Sequence, residues 1–349
     1  MWVASAWRGR KASGVRIQRW AALWGLAALT LWALPAMAEN ATPWVIVQPT
    51  PASNYKVDVA QLFRTHLAQK LEGGITVHEP TRDLGAPALA WSVAQAPQRR
   101  SLVLMTEELS LLGHAAKSSA QHLSNFIPLL VVLQTRWCLF VKKDSALERP
   151  EQLLQWAQHK AQPPSVALPV ASGRMRLWVQ GMAVRTQRPW EMVEYGVGGD
   201  MRPALLDGVD VALGRCDLQE RNGDATRILA KGSIGDTQFL PTTAKFTDLG
   251  WMPLGDGWLA WMAPITTPHA EREAMAQKLH AIARQPQVQW RLEAAGQVVA
   301  SMTPEESARY VQTYSAAWHG IGEFLLGANF GDLSKMQGLA MPWPAVPAH

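Results

Sequence analysis

The sequence predicts an α/β fold in two domains, and three observations carry that reading. Short apolar runs of strand length alternate with segments of helical periodicity, separated by turns bearing Gly, Ser or Pro. The chain is 48% hydrophobic and 17% charged. That balance builds a core and excludes a disordered chain, a fibrous repeat and a polytopic membrane protein. After the first 38 residues, 311 of the 349 remain, enough for two domains at roughly 150 residues each. There is no internal repeat and no low-complexity tract.

Residues 1–38 read as a leader. Arg8, Arg10, Lys11, Arg16 and Arg19 form a basic segment, and an uncharged run follows from Ala21 to Leu34. Pro35 then breaks the helix before a small-residue site, Ala36-Met37-Ala38. The apolar run falls short of the roughly 20 residues a membrane span needs, and no charged stop-transfer flank follows it. No paired arginines precede it, which favours export of the unfolded chain. The expectation is a signal peptide cleaved after Ala38 and a periplasmic location, with an uncleaved N-terminal anchor as the other reading. The five leader bases account for the whole net charge of +5, leaving 28 residues of each sign beyond them. Nothing in the charge total points to nucleic acid.

Trp44 to Val47 is the first strand, followed by a Pro/Ser/Asn stretch from Pro49 to Asn54. Val59, Leu62, Phe63, Leu67 and Leu71 share a helical face that Gly73-Gly74 ends. Ile75 to Val77, Ser101 to Met105, Leu129 to Leu133 and Arg136 to Val141 read as further strands. The expected sheets are largely parallel, because helices separate successive strands. Arg149-Pro150-Glu151 opens a helix carrying Leu153, Leu154 and Trp156. Ser165 to Leu168 is a strand running into the Pro169–Gly173 loop and then a helix. Glu191 to Tyr195 is a strand that ends in the loop Gly196 to Asp200. A helix through Leu205 and Leu206 leads to Gly208, and Val209 to Leu213 is the next strand. Turns of this kind leave unpaired N–H groups at a helix start, where a small anion can be held.

Cys138 and Cys216 are the two cysteines. In an oxidising compartment they either pair or stay as buried thiols, and spacing alone leaves both open. Gly196 to Met201 lacks the third glycine of a dinucleotide fingerprint. No Gly-x-Ser-x-Gly elbow, phosphate-binding lysine loop or His-Glu-x-x-His occurs, and the nine histidines show no metal spacing. The chain reads as a non-enzyme without cofactor or metal.

The order of segments resembles the substrate-binding proteins of tripartite tricarboxylate transporters, the Bug family of periplasmic solute receptors. Asn125 to Val132, Trp137 to Val141 and Pro150 to Leu154 follow the family's central pattern. Val193-Glu194-Tyr195, Pro203 to Gly208 and Val209-Asp210 match its strand, helix and strand. Trp258 to Pro264, with Thr267-Pro268, looks like its return strand. Gln287 to Leu292, Gly296 and Thr303 to Glu306 resemble its closing helices. The likeness spans about Trp44 to Trp318.

The resemblance implies a type 2-like periplasmic-binding-protein fold. Each lobe is then a Rossmann-like sheet flanked by helices, and two crossing strands join the lobes. Lobe one takes 39–132 plus 254–349 and lobe two takes 133–253. The implied function is binding of a small carboxylated organic molecule by hinge closure, with permease subunits or a sensor protein as partner. The receptor is expected to be a monomer. The other reading on this scaffold is a degenerate binding protein acting in signalling or assembly without a transport ligand.

The candidate ligand contacts lie in four loops. The first, Pro49 to Asp58, lacks the family's glycine, which makes Ser53, Asn54, Tyr55 and Lys56 candidate side-chain contacts, with Asp58 placed to cap a helix. The second holds Thr106 followed by Glu107 and Glu108, where the family has a Gly/Ser/Thr turn. These acids point to solvent, face a cationic ligand group, or mark a lost anion site. Their simplest reading is that they favour a helix N-terminus. The third loop supplies Ser172, Gly173 and Arg174. Arg174 and Arg176 read first as solvated helix surface and second as partners for a carboxylate. The fourth supplies Tyr195, Gly196 and Gly198, with Asp200 adding an acid; Tyr195 reads equally as core packing with a wet hydroxyl. Most of the 12 tryptophans beyond the leader belong to the core, and one or two near the cleft would wall a ring-bearing ligand.

Overall fold

The computed structural model describes residues 42–48, 57–78, 92, 94–96, 100–107, 123–169, 173–195, 200–216, 225–232, 242–251, 254–295, 297–300 and 302–314. The leader, the tail beyond 314, Ser53, Asn54, Tyr55, Lys56, Glu108, Ser172, Gly196 and Gly198 lie outside the described residues. Among the described residues no helix is long and apolar enough to cross a membrane.

Two sheets organise the chain. Sheet one is built from β1 (Trp44–Val47), β2 (Ile75–His78), β3 (Arg100–Thr106), β4 (Phe126–Thr135), β10 (Gly257–Pro264) and β11 (Val298–Val299), in the order β11-β4-β10-β3-β1-β2. Sheet two is built from β5 (Trp137–Lys142), β6 (Ser165–Leu168), β7 (Glu191–Glu194), β8 (Val211–Arg215) and β9 (Thr226–Lys231), in the order β7-β6-β8-β5-β9. Helices α1 (Val59–Leu67), α5 (His269–Ala283) and α6 (Pro286–Ala294) accompany the strands of sheet one. Helices α2 (Gln152–His159), α3 (Gly173–Thr186) and α4 (Arg202–Leu206) accompany those of sheet two. Residues 304–314 form a further helix, α7.

The expectation of largely parallel sheets is corrected. β1 pairs with β2 and β3, and β6 with β7 and β8, in parallel. The five other pairings are antiparallel. The physical reason is the crossover: β4 leaves sheet one and becomes β5 of sheet two across the single residue Arg136, and β9 returns to β10. The outgoing and returning strands lie side by side in both sheets, and side-by-side strands of opposite direction must pair antiparallel.

Side-chain alternation along the strands builds the core. Trp44 and Ile46 face one apolar cluster while Val45 and Val47 face another, and Leu102/Leu104 against Val103/Met105 divide the same way. Sheet one is therefore covered on both faces, which explains its nearly continuous apolar strands. α1, α5 and α6 cover one face through Phe63, Leu279, Ile282 and Leu292, with Phe63 against Trp261 at 5.3 Å. The other face joins sheet two in a single cluster that includes Leu139, Val166, Leu213 and Trp178.

Local chemistry sets the helix starts. The Asp58 carboxylate accepts the Gln61 N–H at 2.9 Å and caps α1. Thr303 and Glu306 form a reciprocal capping box at the start of α7: Thr303 N–H donates to Glu306 Oε2 at 2.7 Å, and Glu306 N–H donates to Thr303 Oγ1 at 3.2 Å. Cys138 and Cys216 are joined in a disulfide, with Cα atoms 5.2 Å apart. It ties β5 to the residue that follows β8, two strands that are already neighbours.

Candidate functional site

The parallel strands run so that Val47, Thr106, Leu168 and Glu194 stand at carboxyl ends. In open α/β sheets ligands bind outside these ends. β3 delivers Thr106 and Glu107; the turn after β6 delivers Gly173 and Arg174 at the start of α3; β7 delivers Tyr195.

The structure brings the second and third of these together. Arg174, expected first as solvated helix surface, is fully buried at 0% exposure. Its Nη2 donates to Glu107 Oε1 at 3.1 Å, and its Nη1 donates to the Leu254 carbonyl at 3.1 Å and to the Tyr314 hydroxyl oxygen. The guanidinium carbon lies 5.6 Å from the Trp137 ring and 5.9 Å from the Tyr314 ring, within cation–π range. Glu107 points inward, not to solvent. It is buried, and its Oε2 accepts the Trp258 N–H at 3.0 Å. A short neutral side chain would serve a Gly/Ser/Thr turn; a glutamate reaches across to the other sheet.

Two glycines make room for this arrangement. A Cβ at Gly257 would overlap Glu107 Oε1 and stand 2.9 Å from Trp137 Nε1. Gly255 adopts φ of +67°, which favours glycine, and a Cβ there would stand 2.9 Å from the Tyr314 ring. The same segment carries the joint between the sheets. Gly232 N–H donates to Trp137 O at 2.7 Å, and Gly255 N–H donates to Gly232 O at 3.0 Å.

The remaining candidates have local partners. Asp58 faces its own helix as a cap. Thr106 is buried at the end of β3 opposite Leu259 of β10. The Tyr195 ring packs on the small cluster around Phe140 and Leu205, and its hydroxyl donates to Asp207 Oδ2 at 3.1 Å. That bond holds its pKa above the usual phenol value. Asp200 accepts from Arg202 Nε at 2.7 Å and from the Arg202 N–H at 3.2 Å, and raises the guanidinium's pKa. Arg176 pairs with Glu194 at the surface. Tyr310 stands beside Tyr314 at 6.0 Å. Burial first, then the charge of Asp256, pushes its hydroxyl well above its ordinary range.

Sequence reasoning missed Tyr314, Trp258 and the Leu254 carbonyl. Gly255 and Gly257, bracketing Asp256 in a run that leads into an apolar strand, were the available signal. Among the described tryptophans, Trp251, Trp258 and Trp261 are buried core, and the Trp137 ring stands beside the Arg174 guanidinium.

No family model matches the chain, and no curated protein matches it in sequence. Its fold has counterparts among solved structures. A TctC solute binding protein from Polaromonas, solved without ligand, superposes with a TM-score of 0.66 at 15% identity, over 81% of this chain and 98% of that one. A Rhodopseudomonas palustris protein solved with adipate gives 0.60 at 16%, over 82% and 98%. MatC from Rhodopseudomonas palustris with bound malate gives 0.58 at 18%, over 80% and 98%. The chain therefore has the two-sheet α/β fold of the TctC and Bug periplasmic binding proteins, in agreement with the resemblance read from its sequence.

Proposed function

We propose that the chain is an exported, periplasmic solute-binding receptor of a tripartite tricarboxylate-type transport system. It takes a small carboxylated organic molecule between two halves, 39–132 with 254–349 on one side and 133–253 on the other. Ser53, Asn54, Tyr55, Asp58, Thr106, Ser172, Gly173, Tyr195, Gly196 and Gly198 are the proposed loop contacts, through backbone amides and hydroxyls. Arg174, a candidate with them from the sequence, is buried and bonded to Glu107, Leu254 and Tyr314. Permease subunits are the proposed partner.

The observation that carries this reading is the neutralisation of two of the three unexpected acids. Glu107 is matched by Arg174 and Asp200 by Arg202, so neither adds an uncompensated negative charge where an anion would sit. Solved neighbours of the same fold carry adipate and malate. The disulfide accords with an oxidising compartment.

Native followed by denaturing mass spectrometry of the exported protein tests it, with thermal shift against dicarboxylates, tricarboxylates, aromatic acids and amino acids. A retained small acid, or a melting temperature that climbs with acid concentration, is the expected result. A hundredfold excess over Kd stabilises by about 2.7 kcal/mol. A blank panel with no bound mass would overturn it. The second reading, a signalling or assembly protein with a degenerate pocket, draws support from the same buried Arg174–Glu107 pair, because it joins the halves without a solute.

A further inference from the structure

Glu107 and Arg174 belong to opposite sheets. Glu107 follows β3 and is anchored to the start of strand β10 through the Trp258 N–H; Arg174 opens α3 beyond β6. A clamp that closes on a solute gains its closed state from contacts the solute makes with both sides at once. Here the chain makes one such contact itself.

We propose that Glu107 is a tethered occupant of the joint: its carboxylate engages Arg174 and keeps the two halves together before any solute arrives. Three separate segments converge on the one guanidinium: the end of β3, the returning strand at Leu254, and α7 through Tyr314. Pulling α3 away from sheet one strips a fully buried cation of a carboxylate, a carbonyl and a hydroxyl together. Opening breaks these bonds together, and the joined state holds the cation against its counter-charge where the surroundings screen the attraction least. Aromatic faces flank the guanidinium, and Gly255 and Gly257 leave the space that Tyr314 and Glu107 fill. The latch stands independently of the carboxylate reading, because it requires no solute.

The test measures the distance between the halves in the solute-free, disulfide-intact protein. Spin labels are attached through non-cysteine chemistry at exposed Gln155 of α2 and Glu273 of α5. Wild type is expected to give a single short distance. Glu107→Gln, and the double variant Glu107→Gln with Arg174→Met, are expected to raise a longer-distance population by at least about tenfold. The double variant removes both charges and so leaves neither buried alone, which guards against a variant that fails to fold. A long-distance population already abundant in wild type would overturn the latch, as would distributions identical in wild type and both variants. Neither outcome bears on the solute panel, so failure of the latch and failure of the receptor reading are told apart.

Discussion

Asp58 and Tyr195 occupy the loop ends that the sequence assigned them, yet each gives its polar group to a nearby residue. Asp58 serves the first turn of α1 and Tyr195 serves Asp207. Asp58→Ala should lower stability by about 1 kcal/mol, the usual worth of an N-cap, read as a shifted denaturant midpoint with an unchanged m-value. Tyr310 makes a prediction in pH. Its folded pKa lies above the unfolded value of 10.0, so the folded state keeps a proton that the unfolded chain gives up. Its contribution to stability is complete below pH 10 and is lost as pH rises from there through the folded pKa. Melting curves across that window should fall more steeply for wild type than for Tyr310→Phe; equal slopes would contradict the assignment. What the sequence hid at this scale was the pairing of Glu107 with Arg174. Each residue's position was legible, but 67 positions separate them and no local charge pattern connects them.

Among the elements, legibility followed periodicity. β1, β3 and β6 are nearly all apolar runs of strand length, and α1 shows its buried stripe of Val59, Leu62, Phe63 and Leu67 plainly. β9 carries a charge at each end, in Arg227 and Lys231, and α5 is so rich in charged and small residues that its buried side has little contrast. Strand direction was legible for β1 to β3 and β6 to β8, which pair in parallel, and not for the strands at the crossover, where it is decided by where the chain changes sheets. The disulfide belongs to this scale, since it fastens strands within sheet two across a sequence separation of 78. Removing it by Cys138→Ala with Cys216→Ala should cost roughly 2–5 kcal/mol. Chemical denaturation monitored by far-UV dichroism checks this; a loss near zero would show that the sheet holds without it.

For the molecule as a whole, the order of segments was enough to reach the fold, because a two-sheet architecture leaves its signature in the succession of strands and helices. What holds the halves was out of reach, since it depends on side chains meeting across the joint. A latch made of buried charges is screened far less by salt than a surface ion pair would be. The radius of gyration of the solute-free protein should therefore stay constant from about 0.1 M to about 1 M salt. Small-angle scattering reads it directly, and a steady expansion with salt would place the holding force at the surface.

The hydrogen bond of 2.7 Å from Gly232 to Trp137 has a consequence for how such a molecule can be rearranged. It means that the stretch carrying all of sheet two begins and ends at one spot, inserted into the antiparallel pair β4 and β10. A segment with touching ends behaves as a cassette. It can be exchanged for another of the same kind, or the chain reopened at its border, while the host pair keeps its register. Recombination at Arg136 and just before Leu254, so that Phe246 and Trp251 travel with Trp178, would thus trade the inserted stretch and leave the strand pairing of β4 and β10 intact.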